Sequence, residues 1–281
     1  LRTYASFIKL EHTVFSLPLI YAGAILGGRG SVSLAQAAWI LLAAVGGRVM
    51  AMGLNRIIDA ELDARNQRTR NRELPRGAMR RSEAWGVVAA AGALYVASAA
   101  ALGPACLWLS PIPVLLFIGY PYLKRVTALS HLGLGLAWSM APLGGWLAAS
   151  QSLSHLDEIG WLWLFAVLWV TGFDIIYATM DEAFDRQEGL HALPVRLGKK
   201  KALRIAGGLH TAAFTSLGIW CQQRDPFGWS QVWLVAIAAL LIWQHAIAPR
   251  KPEFAFFHLN AAIGFLVFAL ALSGIERIVI R

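Results

Sequence analysis

Long apolar stretches separated by polar connections dominate the chain. Continuous apolar runs recur at about 12–28, 34–54, 84–102, 106–123, 131–149, 158–180, 203–221, 229–248 and 255–275. They lack the period-two alternation of a barrel strand. Each is close to or above the roughly 18 residues that cross a hydrocarbon core of about 30 Å. The pattern predicts an all-α, polytopic membrane protein, about nine transmembrane helices in one bundle, as a single domain over 1–281. Only Leu102-Gly103-Pro104 divides the third run from the fourth. Two connections are long and charged, Asn55 to Glu83 and Asp181 to Ala202.

Composition narrows the class. Hydrophobic residues make up 57% and charged residues 15%, with mean hydropathy +0.55, against about 25% charged in an ordinary soluble domain. This excludes a disordered, collagen-like or disulfide-stapled chain and argues against a soluble enzyme. Cys106 and Cys221 form no CxxC or metal-ligand spacing and read as thiols buried in membrane helices. The chain starts at Leu1, so a few native residues are expected to be missing before it, and no cleavable signal is read.

A net charge of +9 raises the question of nucleic acid, but its distribution points elsewhere. Of 25 Lys and Arg, 20 fall on one side of a nine-span topology and four on the other, with Arg48 inside a span. The positive-inside rule then places the protein in the cell membrane, with the N-terminus and both long loops cytoplasmic and the C-terminus outside. No nucleic-acid partner and no obligate protein partner is expected.

Orientation needs Lys and Arg but not closely spaced acids. The second run leads into Asn55, Asp59 and Asp63, an N-x-x-x-D-x-x-x-D, and the sixth into Asp181 and Asp185, a D-x-x-x-D. Residues four apart share a helical face, so each motif stacks like charges that need a cation. Hard carboxylate and amide oxygens, with no Cys or His among them, suit Mg²⁺ together with substrate phosphate. Beside them the first loop carries Arg68 and Arg72, and Lys124 ends the fourth run. Guanidinium forks bind phosphate oxygens bidentately, so the combination reads as a Mg²⁺–diphosphate site.

Arg48, Asn55 and Asp59 have the same spacing as Asp174, Asp181 and Asp185. An internal duplication, with halves of about 1–125 and 126–281, is the preferred reading. Arg48 and Asp174 then lie one to two turns deeper than the acids, lining a pocket or paired with each other.

Asn55, Asp59 and Asp63 followed by Arg68-Thr69, Arg72, Leu74-Pro75 and Gly77, with Asp181, Asp185 and Arg186 in the other half, resemble the UbiA family of intramembrane aromatic prenyltransferases. The likeness spans nearly the whole chain. Phe173-Asp174-Ile175-Ile176-Tyr177-Ala178 and Gly189-Leu190-His191-Ala192-Leu193-Pro194 look like the archaeal and bacterial branch often labelled 4-hydroxybenzoate polyprenyltransferase. Two departures stand out: Asn55-Arg56 where many relatives have Asn-Asp, and Ala178 where the ubiquinone enzymes carry an acid.

The resemblance implies transfer of a polyprenyl group from its diphosphate to a 4-hydroxybenzoate-type aromatic acid, in ubiquinone or menaquinone synthesis. A dihydroxynaphthoate is the alternative acceptor. It implies Mg²⁺ held by Asn55, Asp59, Asp63, Asp181 and Asp185, and diphosphate held by Arg68, Arg72 and Lys124. Tyr120, Tyr177 and Phe173 become candidates to stabilise an allyl cation. Arg48 is expected to bind the acceptor carboxylate and Asp174 to take a proton. The histidines form no HxxxH or HExxH and read as interfacial or packing residues. A transporter built from duplicated helices is the rival reading. The D-x-x-D-G-x-x-A-R of phosphatidyl transferases is absent from the sequence.

Overall fold

The computed structural model describes residues 2–8, 13–224, 228 and 230–273, with helices and turns and no strand among them. The helices are α1 (Arg2–Ile8), α2 (Thr13–Gly27), α3 (Leu34–Ile58), α4 (Ala60–Arg65), α5 (Arg81–Leu102), α6 (Pro104–Leu109), α7 (Pro111–Leu123) and α8 (Ser130–Ser150). They continue as α9 (Asp157–Ala178), α10 (Glu182–Gln187), α11 (Leu193–Leu197), α12 (Lys199–Arg224), α13 (Ser230–Ile247), α14 (Pro252–Phe254) and α15 (Asn260–Ser273). A π-helical turn, Ala255–Leu259, joins the last two.

Seven helical segments among the described residues are long and apolar enough to cross a membrane: Leu34–Ile58, Arg81–Leu102, Pro104–Leu123, Ser130–Ser150, Asp157–Ala178, Ser230–Ile247 and Pro252–Ser273. The chain is an integral membrane protein. The two other expected spans are helical but different in character. Thr13–Gly27 has 15 described residues, about 22 Å of helix at 1.5 Å per residue. Lys199–Arg224 has 26 residues, but its first turns carry Lys199, Lys200, Lys201 and Arg204. Residue 12, at the edge of the first expected span, and residues 274–281, on which the expected side of the C-terminus depends, lie outside the described residues.

Local sequence explains the breaks. Ser33 and Gln36 cap the start of α3 reciprocally. Gly103 takes a φ of +139° between α5 and α6, where a Cβ would lie 2.0 Å from the Gln151 side chain; Pro104 and Pro111 then open the next two helices. Packing depends on small residues where helices cross. A Cβ at Gly23 or Gly27 of α2 would sit 2.0 or 2.2 Å from the Pro142 or Trp146 carbonyl oxygen of α8. Close backbone approach at Gly is how helices associate where lipid gives no hydrophobic drive.

Burial follows the same logic. Large apolar side chains such as Trp108, Leu115, Val235 and Ile242 face outward. The core instead holds α9, whose Phe165, Trp169 and Phe173 form a ladder of ring contacts. Helices α3, α8 and α9 bring Asp59, Asp174 and Asp181 toward one end of this bundle.

Candidate active site

The two acidic motifs occupy matching backbone breaks. Asp59 separates α3 from α4 with φ −94° and ψ 5°. Asp181 opens α10, shortly after α9 ends, with φ −104° and ψ 6°. Each begins a short six-residue helix. In each, the acid four residues on donates its backbone N–H to the first acid's carbonyl at 2.8 Å.

The structure therefore matches Asp59 to Asp181 and Asp63 to Asp185. This is one turn away from the register suggested by the recurring Arg48 and Asp174 spacing. Spacings of four and seven recur on every turn of a helix, so they cannot set register; the break does.

Every acid of the first motif meets a cation from elsewhere. Lys124 and Arg125, at the end of α7, reach the two oxygens of Asp59 at 2.5 and 3.3 Å. Arg72 grips both oxygens of Asp63 at 2.8 and 2.7 Å. Across the site, Arg68 Nε donates to Asp181 at 2.9 Å and its second arm to the other oxygen. Asn66 Nδ2 donates to Asp181 at 2.8 Å. Arg68 also donates to the Tyr177 hydroxyl at 2.7 Å, its guanidinium 5.0 Å above that ring. Arg65 and Glu188 tie the two short helices together at 3.0 Å.

These contacts set the electrostatics of the cluster. Burial pushes the Asp181 carboxyl upward, but its hydrogen bonds and the charge of Arg68 hold it below its usual value. Burial would lower Arg68, yet Asp181 and Tyr177 raise it overall. Asp185 is pushed up to about 6, by burial and by the neighbouring Asp181 charge. Asp59, Asp63, Asp181 and Asp185 offer hard oxygens of the chemical kind Mg²⁺ takes, the first three now held by nitrogen donors. Among the described residues no three of His, Cys, Asp and Glu are already grouped around a metal position.

Both loops are fastened. Glu73 accepts from buried Arg56 at 3.0 Å and from Ser6 at 2.6 Å, and Thr69 donates to the Asp63 carbonyl. Arg56, where relatives were expected to carry an acid, thus holds the first loop down. The second loop crosses the site: Leu190 N–H meets the Asp185 carbonyl, His191 N–H the Lys124 carbonyl, both at 2.8 Å, and Leu193 N–H reaches His131 Nε2 at 3.2 Å.

Two expectations need correcting here. Arg48 and Asp174 do not pair: Asp174 bonds His131 at 2.6 Å, so His131 is more than a packing residue. Phe173 is fully buried and packs edge-on against Trp138, Trp169 and Phe256. It belongs to the core ladder.

Arg48 lines an apolar cavity of about 420 Å³ between α2, α3, α5, α6, α7 and α8, with Tyr120, Trp138 and Met52 nearby and Cys106 and Leu109 farther along. Its guanidinium lies 5.1 Å from the Trp138 ring, and its enclosed Nε has no hydrogen-bond partner. Asn55 connects the two regions. Its side chain adjoins the Tyr120 hydroxyl and donates to Asp59 at 3.4 Å.

The UbiA prenyltransferase family model matches residues 16–262. The chain belongs to the UbiA prenyltransferase family. A 4-hydroxybenzoate octaprenyltransferase of Coxiella burnetii (strain CbuK_Q154) is 29% identical over 250 residues, covering 86% of this chain and 85% of that protein. One of Shewanella denitrificans is 28% identical over 205 residues, 71% of this chain and 68% of that one. The apo structure of a UbiA homolog from Aeropyrum pernix K1 superposes with a TM-score of 0.84 at 38% identity, over 92% of this chain and 96% of that one. A UbiA homolog from Archaeoglobus fulgidus, bound to GPP and Mg²⁺, shares the fold with a TM-score of 0.69 at 19% identity, over 96% and 99%.

This UbiA-family chain is a prenyltransferase, and the transporter reading falls away. Its sequence concealed the roles of Asn66, Arg56, Glu73 and His131. Asn66, three residues beyond Asp63, was the most findable, as an amide closing the short acidic helix.

Proposed function

We propose that this UbiA-family enzyme transfers a polyprenyl group from its diphosphate to a 4-hydroxybenzoate-type aromatic acid, releasing diphosphate, in quinone synthesis. We place its acidic end in the cytoplasm, as the Lys and Arg distribution favours. The reading rests on one juxtaposition. An Arg48 guanidinium whose Nε has no hydrogen-bond partner, set in an apolar cavity, stands one amide, Asn55, away from a cluster of acids and cations. The relatives named for 4-hydroxybenzoate support it.

Asp59, Asp63, Asp181 and Asp185, with Asn55, would hold Mg²⁺. When bound, Mg²⁺ supplies charge neutralisation for the departing diphosphate. Arg68, Arg72, Lys124 and Arg125 exchange their carboxylate partners for diphosphate oxygens, which bind the same forks. The allylic C–O bond breaks with its electron pair leaving on diphosphate. Tyr120 and Tyr177 present aromatic faces near the resulting allyl group, and the apolar cavity keeps water from it.

Arg48 binds the acceptor carboxylate and fixes which ring carbon faces the allyl group. That carbon forms the new C–C bond, and the proton it loses passes to Asp174. A dihydroxynaphthoate carries a carboxylate for Arg48 as well, and remains the alternative acceptor.

A panel assay separates them. Purified protein is given labelled geranyl diphosphate, Mg²⁺ and either 4-hydroxybenzoate or 1,4-dihydroxy-2-naphthoate. Greater kcat/KM with 4-hydroxybenzoate is expected. Product from the naphthoate alone would move the enzyme to the alternative.

A further inference from the structure

His131 stands at the start of α8, buried, with both ring nitrogens engaged. Nε2 lies 3.2 Å from the Leu193 backbone nitrogen. A backbone N–H can only donate, so Nε2 must accept and the ring proton sits on Nδ1. That proton points at Asp174 Oδ2, 2.6 Å away. The imidazole is thus a neutral one-way link: it receives from the loop and donates to the carboxylate. The Asp174 carboxylate keeps partial access to its surroundings.

We propose that His131 is a positioning residue for the reaction, orienting the Asp174 carboxylate through a tautomer imposed by the Leu193 backbone. The inference rests on the reading of Asp174 as proton acceptor. Its consequence is a coupling between the two ends of the chemistry. The segment that fixes His131 also docks on the Asp185 and Lys124 carbonyls. Asp185 belongs to the acidic cluster, and the Lys124 side chain holds Asp59. When this segment is seated, the cations and acids of the diphosphate end and the proton acceptor are in register. When it lifts, Nε2 loses its donor, the ring proton is free to move to it, and Asp174 Oδ2 loses its hydrogen bond. Which ring nitrogen of a histidine carries the proton is set by the hydrogen bond that the other one makes.

The test is a double-mutant cycle in the full-length protein, with geranyl diphosphate, Mg²⁺ and 4-hydroxybenzoate. His131→Phe should lower kcat about 10- to 100-fold with the KM for geranyl diphosphate unchanged, a range typical of lost orientation of a proton-transfer group. His131→Asn, which keeps a donor near the Nδ1 position, should recover a large part. In combination with Asp174→Asn, His131→Phe should cost nothing further, because both act through one carboxylate.

Full additivity of the two losses, or unchanged kcat in both His131 variants, would overturn the proposal. So would a loss confined to the KM for geranyl diphosphate. If His131→Phe does not fold, His131→Leu, alone and with Asp174→Asn, carries the same cycle. A wild type inactive on every aromatic acid would instead refute the proposed function, so the two failures are distinguishable.

Discussion

Lys124 Nζ lies 2.5 Å from Asp59 Oδ2, joining the end of α7 to the break that follows α3. Arg125 holds the other oxygen of the same carboxylate at 3.3 Å. A buried acid with two cations from one neighbouring helix is a site organised for more negative charge than its own. Lys124→Met should therefore raise the KM for prenyl diphosphate about tenfold or more, while thermal unfolding changes little. Steady-state kinetics at fixed acceptor concentration checks this; a change in acceptor KM alone would count against it.

Arg48 makes a different prediction because it has no ionic partner among the described residues. Arg48→Met keeps much of the side-chain volume and removes the charge. The acceptor KM should rise about 10- to 100-fold, the loss of a charge-assisted pair worth about 1.5–3 kcal/mol. The KM for prenyl diphosphate should stay where it was. An unchanged acceptor KM would reassign Arg48 to packing against Trp138.

The Arg68 fork holds Asp181 with two arms and Tyr177 with a third contact. Lysine offers a point charge without that fork. Arg68→Lys should lose most transfer activity despite its retained charge, with product formation followed by chromatography. Full activity would show that charge alone suffices there.

Arg56 and Glu73 are a buried pair, each side chain 5% exposed. Breaking such a pair by removing one member costs about 3–5 kcal/mol, so Glu73→Gln should lower the unfolding temperature measurably. The pH dependence follows. Burial alone would raise the Glu73 carboxyl, but the Ser6 hydrogen bond, its own backbone and the charges of Arg56 and Arg76 bring it below its ordinary value. A depressed carboxyl stabilises the fold above its unfolded pKa, about 4.3, and that stability is lost as pH falls through the folded value. Unfolding scans from pH 6 to 3 should fall more steeply for wild type than for Glu73→Gln. Parallel curves would contradict the role of the pair.

Much of this arrangement was legible in the chain. Apolar runs cannot be anything but helices in lipid, where every backbone polar group needs an internal partner. Acids at Asp59, Asp63, Asp181 and Asp185 stand out because so apolar a sequence has few charges to spare. The partners of those acids were harder to read. Arg68 meets Asp181 across 113 positions and Lys124 meets Asp59 across 65, contacts that depend on how helices pack and leave no local spacing. His131 was hidden for the same reason: a lone histidine carries no motif, and its role exists only once α9 and the Leu193 backbone flank it. Two of the expected spans differ in character from the rest. Thr13–Gly27, with 15 described residues, lacks the length of the seven clear spans, and Lys199–Arg224, with 26, lacks their apolarity.

In the proposed mechanism the two acidic helix ends act together on one Mg²⁺–diphosphate. This is tested most directly by Mg²⁺-dependent transfer from labelled geranyl diphosphate to 4-hydroxybenzoate, in wild type, Asp59→Asn and Asp181→Asn, each verified as folded. Product is expected in wild type with Mg²⁺, none with EDTA, and a loss of at least about 100-fold in each variant. Product that persists in EDTA, or wild-type activity in either variant, would contradict it.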